Sequence, residues 1–220
     1  MEILRYEQLD YVCRLPENFN EQEKYPLVIY LHGAGGRGRD TQLIYTHPFF
    51  SDTARFLKGA VSVAPQCYAD SWFNIFEQLQ RFIEYVSGQS YIDATRVYLI
   101  GASMGGYATW QMAMARPELF AAVVPICGGG MYWNGARLVN MGVWAFHGES
   151  DPVVFCEESK KMVKSVNDNG GNAKLTVYEG VEHNAWSPTF CNEELWIWLL
   201  KQKAHYKETK SAYDNVKQFG

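Results

Sequence analysis

Short runs of consecutive apolar, largely β-branched residues recur along this chain. Glycine or proline stops most of them, and stretches with helical spacing follow. The runs are Leu27-Val28-Ile29-Tyr30-Leu31, Ala60-Val61-Ser62-Val63-Ala64, Arg96-Val97-Tyr98-Leu99-Ile100, and residues 120–126, 142–146 and 173–178. A strand with one wet face alternates apolar and polar residues; an uninterrupted apolar strand must be covered on both faces. Helical spacing runs through Phe73, Phe76, Leu79, Phe82, Ile83 and Val86, predicting a helix over 72–86. Further helices are predicted over 103–116, 155–167 and 193–203. Strands that alternate with helices in this way specify an α/β fold, with five or six parallel central strands and helices on both faces. Residues 11–15 are expected to add an antiparallel edge strand.

At 220 residues, 47% of them hydrophobic, the chain suits one domain over 1–203, with a polar tail or helix extension over 204–220. No linker, repeat or low-complexity tract interrupts it. The net charge of −4 offers nothing to a phosphate backbone, so no nucleic-acid partner is expected. No window approaches the roughly 18 apolar residues of a membrane span, so no membrane partner is expected either. The start carries charges at Glu2, Arg5, Glu7 and Asp10 and lacks the apolar core of an export signal. The expected location is therefore cytoplasmic. Cys13, Cys67, Cys127, Cys156 and Cys191 are widely spaced and form no C-x-x-C pair, so they read as reduced thiols.

In open α/β sheets, ligands gather at the carboxyl ends of the strands. There, directly after the run ending at Ile100, stands Gly101-Ala102-Ser103-Met104-Gly105, which fits the G-x-S-x-G nucleophile elbow. Chance would place that pattern in roughly 7% of chains this long. Its position between an apolar strand and a helix is what gives it weight. A serine hydroxyl needs a base, and His183 follows the last strand pattern at the same sheet edge. His32 and His147 each end a strand in a His-Gly pair, which suits turn-shaping or support. His47 precedes Pro48 in a loop, and His205 lies in the tail. The acid expected to orient the imidazole is Asp151, in a loop stiffened by Pro152, with Glu149 and Glu182 as rivals. An oxyanion hole needs two backbone N–H donors. Met104 should supply one, and the His32-Gly33-Ala34-Gly35-Gly36 turn the other. That turn lacks the lysine and hydroxyl of a phosphate loop, and no His/Cys cluster has zinc spacing, so neither a cofactor nor a metal is expected.

With these residues in view, the chain resembles the α/β-hydrolase superfamily, in its esterase and prolyl-oligopeptidase-like branch, related to feruloyl and polyhydroxybutyrate-depolymerase-type esterases. The resemblance spans roughly residues 25–200. It is carried by Leu31-His32-Gly33, Ala64-Pro65-Gln66-Cys67, Gly101-Ala102-Ser103-Met104-Gly105-Gly106-Tyr107, His147-Gly148-Glu149-Ser150-Asp151-Pro152 and Gly180-Val181-Glu182-His183-Asn184. It implies Ser103 as nucleophile, His183 as base, Asp151 as acid, and Met104 with Ala34 as oxyanion donors. The 220 residues leave little room for a lid beyond such a sheet, so a minimal lid is expected. The implied activity is hydrolysis of short-chain or aromatic carboxylic esters through an acyl-enzyme. A serine peptidase or a non-catalytic binding protein are the alternatives. Aromatic residues on the sheet-edge loops, Trp72, Trp133 and Trp186, are the expected pocket walls around a small ester.

Overall fold

The computed structural model describes residues 1–204, so the 205–220 part of the expected tail lies outside the described residues. An eight-stranded sheet runs in the order β1-β2-β4-β3-β5-β6-β7-β8. The strands are β1 (Glu2–Tyr6), β2 (Leu9–Arg14), β3 (Tyr25–Leu31), β4 (Val61–Pro65), β5 (Ile92–Ala102), β6 (Ala122–Ile126), β7 (Gly142–Gly148) and β8 (Lys174–Tyr178). From β4 through β3 to β8 every pairing is parallel. The two antiparallel pairings are β1 with β2 and β2 with β4. Central β3, β4 and β6 are buried at every position, as strands covered on two faces must be.

Because side chains alternate along a strand, each central strand feeds two cores. Leu27, Ile29, Leu31, Leu99, Val123 and Ala145 pack with α3 (Phe76–Ser87), α4 (Met104–Ala115) and α5 (Glu157–Asp168). Val28, Tyr30, Ile100, Val124 and Phe146 turn to the other face. There they meet α2 (Pro48–Asp52), which follows the short α1 (Gln42–Tyr45), and α6 (Trp186–Phe190) with α7 (Glu193–Lys201). Helix α3 buries Leu79, Phe82, Ile83 and Val86, the one-sided stripe that its spacing predicted. The start of α7 is fixed by Asn192, whose side-chain oxygen accepts from the Leu195 amide at 3.2 Å, and Glu193 and Glu194 favour its positive end.

Several expectations shift. The antiparallel segment is a strand, but β1 lies outside it as the edge; exposed Glu2 to Arg5 carry no core pattern to reveal that strand. Strand β8 is not fully apolar, because it is the opposite edge and exposes Lys174. The stretch 72–86 opens with a 3-10 turn, Trp72–Ile75, before α3 begins. Helices α1, α2 and α6 hold four or five residues each, too few for a period to show. Between β6 and β7 the inserted element is a 3-10 stretch, Tyr132–Leu138. Among the described residues no helix is long and apolar enough to cross a membrane.

Candidate active site

Strand β5 ends at Ala102, and α4 begins at Met104, so one residue makes the turn between them. That residue, Ser103, has φ 55° and ψ −116°, a backbone region in which L side chains are strained. The strain is held because the chain cannot relax sideways. A Cβ at Gly101 would collide with the Gly105 carbonyl, and one at Gly105 would collide with the Leu31 carbonyl. Both glycines of the motif are therefore required by close backbone contact, and the Ser103 hydroxyl stands at the carboxyl edge of the sheet. The Ser103 amide is tied to the Ile126 carbonyl of neighbouring β6 at 2.9 Å.

Two loops bring partners to that hydroxyl. His183, in the turn after β8, places Nε2 2.9 Å from Ser103 Oγ and Nδ1 2.7 Å from Asp151 Oδ2. Asp151, in the turn after β7, is only 4% exposed. Its other oxygen accepts from the Val153 and Val154 amides, both at 2.9 Å. Burial alone would raise the Asp151 carboxyl. The hydrogen bonds from His183, Val154 and Val153 outweigh it and hold the group below its ordinary value, so it stays a carboxylate. The rivals Glu149 and Glu182 do not reach the imidazole: the Glu149 carboxylate accepts from the Gly180 amide instead, at 3.3 Å.

Behind the carboxylate sits His147, fully buried, as a supporting residue. Its Nε2–H donates to the Val154 carbonyl at 2.8 Å and lies 3.4 Å from Asp151, and its Nδ1 meets the Ser159 hydroxyl at 2.7 Å. Burial lowers its pKa, so the ring is neutral. Cys127, at φ 40°, completes the back wall, and burial pushes its thiol up to about 12. Ligand atoms of Cys127, Asp151 and His183 fall within 4.8 Å of one another, but two of the three are already bonded to each other and the thiol keeps its proton. That chemistry fits a support for the imidazole better than a metal centre.

The glycine-rich turn after β3 faces Ser103 from the other side. A Cβ at Gly33 would sit 3.4 Å from Ser103 Cβ, which measures how closely the turn approaches. His32 clamps it from below. Burial holds its pKa at about 4, its Nδ1–H donates to Gly33 O at 2.6 Å, and its Nε2 accepts the Cys67 amide at 3.0 Å. Buried Gln66 donates to the Gly36 carbonyl at 3.0 Å, and Arg37 to the Ala34 carbonyl at 2.9 Å. The Ala34 and Met104 amides have no acceptor among the described residues.

A cleft of about 440 Å³ opens beside Ser103. Gly33 to Gly36, His183 and Trp186 line it, together with His32, Leu43, Val153, Tyr30 and His47. Of the three tryptophans expected there, Trp186 lines the cleft, with its ring edge-on to His183 at 5.5 Å. Trp72 does not. It is fully buried beneath the glycine turn, its indole N–H donating to His32 O at 3.0 Å, so it supports the loop rather than the substrate. Trp133 is also absent from the cleft walls; it is 69% exposed and packs edge-on to Tyr132. Sequence reasoning passed over Tyr30 and His47. The signal for His47 was the following Pro48, which marks the start of a helix: His47 caps α2 through its ring nitrogen.

Comparison with known proteins shows the family of the chain. The model of the Dienelactone hydrolase family matches residues 58–219. The chain belongs to the dienelactone hydrolase family. Within the family's fold, it is similar to the solved structure of a thermostable esterase, at 35% identity and a TM-score of 0.78, over 89% of this chain and 59% of that one. Est1E from Butyrivibrio proteoclasticus, at 15% identity, shares the fold with a TM-score of 0.69, over 90% of this chain and 98% of that one. Among curated sequences, "Probable feruloyl esterase C" of Aspergillus terreus is 26% identical over 170 residues, covering 74% of this chain and 62% of the relative. "Feruloyl esterase C" of Emericella nidulans is 26% identical over 175 residues, with the same shares. This dienelactone hydrolase family member thus spans about three fifths of those relatives' length.

Proposed function

We propose that this protein is a serine esterase acting on short-chain or aromatic carboxylic esters. The observation that carries the reading is the unbroken hydrogen-bonded line from Ser103 Oγ through His183 to Asp151, opening on a cleft of mostly apolar walls. In this reading Ser103 Oγ attacks the ester carbonyl carbon as its proton passes to His183 Nε2. The carbonyl oxygen becomes an oxyanion, which the Met104 and Ala34 amides stabilise, aided by the N-terminus of α4. Collapse expels the alcohol, which takes the proton from His183. Water then attacks the acyl-serine by the same route, releasing the acid and restoring Ser103. Asp151 keeps the Nδ1–H tautomer and stabilises the imidazolium, without taking its proton. The similar feruloyl esterases of Aspergillus terreus and Emericella nidulans support aromatic acyl groups as the first class to try. Aryl acetate turnover by the parent and by Ser103→Ala tests the reading. A loss on the order of 10⁶-fold in kcat is expected; unchanged turnover overturns it.

A further inference from the structure

Besides His32, which clamps the glycine turn, two polar side chains in the cleft take no part in acyl transfer: Tyr30 and His47. The Tyr30 ring stacks on Phe49, with centroids 4.5 Å apart, and meets Phe190 edge-on at 5.6 Å, so its hydroxyl has a fixed position. His47 Nδ1 accepts the Phe49 amide at 3.1 Å. An amide can only donate, so Nδ1 carries a lone pair. Burial holds the His47 pKa at about 4, so the ring is neutral and its one proton sits on Nε2. Nε2 lies 3.5 Å from the Tyr30 hydroxyl, whose oxygen is therefore the accepting side of that long contact. The phenolic proton is left with no acceptor among the described residues. Burial raises the Tyr30 pKa, so the proton stays in place at neutral pH.

A buried donor without an acceptor is unfavourable until something brings it an oxygen. The cleft walls hold no lysine or arginine, so the matching oxygen is neutral rather than a carboxylate. We propose that Tyr30, oriented by His47, is a specificity determinant of the acyl pocket. Its hydroxyl donates to a neutral oxygen, phenolic, ether or carbonyl, on the acyl group away from the scissile carbonyl. The acyl group is the part to assign there because it stays bonded through both steps, whereas the alcohol must leave after the first. This proposal rests on the esterase reading.

The test compares methyl 4-hydroxycinnamate with methyl cinnamate, in which only the acyl group can fill the cleft. The wild type should favour the hydroxylated ester about threefold to tenfold in kcat/KM, the value of one neutral hydrogen bond. Tyr30→Phe, which keeps the ring stacking, should abolish that ratio. His47→Asn, which keeps a capping oxygen for the Phe49 amide, should reduce it. A ratio unchanged in Tyr30→Phe, or absent in the wild type, overturns the subsite and leaves the esterase reading standing. If the wild type cleaves neither these esters nor aryl acetates, the esterase reading falls and takes the subsite with it.

Discussion

The Asp151 carboxylate shows how one side chain can be committed to a single task. Both oxygens are occupied, one by His183 and the other by two backbone amides, so neither is free to turn away. Asp151→Asn keeps the shape. Its amide group either presents a donor to Nδ1 or leaves the wrong tautomer facing Ser103, so kcat should fall on the order of 10⁴-fold with little change in fold. Steady-state kinetics beside a thermal melt check this; a loss confined to KM would contradict it. Ser103, His183 and Asp151 were legible in the sequence because each follows a strand pattern at the same sheet edge. Trp72 and Trp133 misled for the complementary reason: loop position does not say which way a ring turns. Trp72 turned inward because His32 O offered its indole an acceptor. Tyr30 hid inside a strand that read as pure core.

At the scale of elements, the β5–α4 turn is made by a single residue, Ser103. Helix α4 is buried on most sides, and its first turn presses glycine backbone against the Leu31 carbonyl of β3. Gly105→Ala puts a methyl group against backbone that cannot swing aside. It should cost at least about 2 kcal/mol, within the range of strong overpacking. At Gly35 an added methyl meets nothing within 4 Å, so Gly35→Ala should leave stability within about 0.5 kcal/mol. Urea unfolding of the two variants measures the contrast, and equal midpoints would refute it. The long elements were legible because burial imposes a period on them. Edge strand β1 and the short α1, α2 and α6 were not, since an exposed strand or a single turn of helix has no periodic face to show.

For the whole molecule, the carboxyl edge of the sheet is also where acid should undo the fold. His32, His47 and His147 all belong to this edge, and burial lowers the pKa of each, of His32 and His47 to about 4. An unfolded histidine titrates near 6.5, so between about 6.5 and 4 the unfolded chain binds protons that the folded chain refuses. Stability must therefore rise with pH through that window. It is fully present above 6.5 and is lost as pH falls toward 4. For one such group the slope is about 1.4 kcal/mol per pH unit. Protonating His32 would also break its bond from the Cys67 amide, which holds the glycine turn against Ser103. Asp151 has the opposite charge but acts in the same direction: its lowered pKa contributes stability above the ordinary carboxylate range, lost only at lower pH. Urea unfolding at pH 7.0, 6.0, 5.0 and 4.5 should show midpoints falling progressively. In His32→Gln, whose side chain can still accept an amide hydrogen bond but takes no proton, the fall should be shallower. A wild-type midpoint that stays level across this window would mean that these imidazoles are not held neutral by the fold.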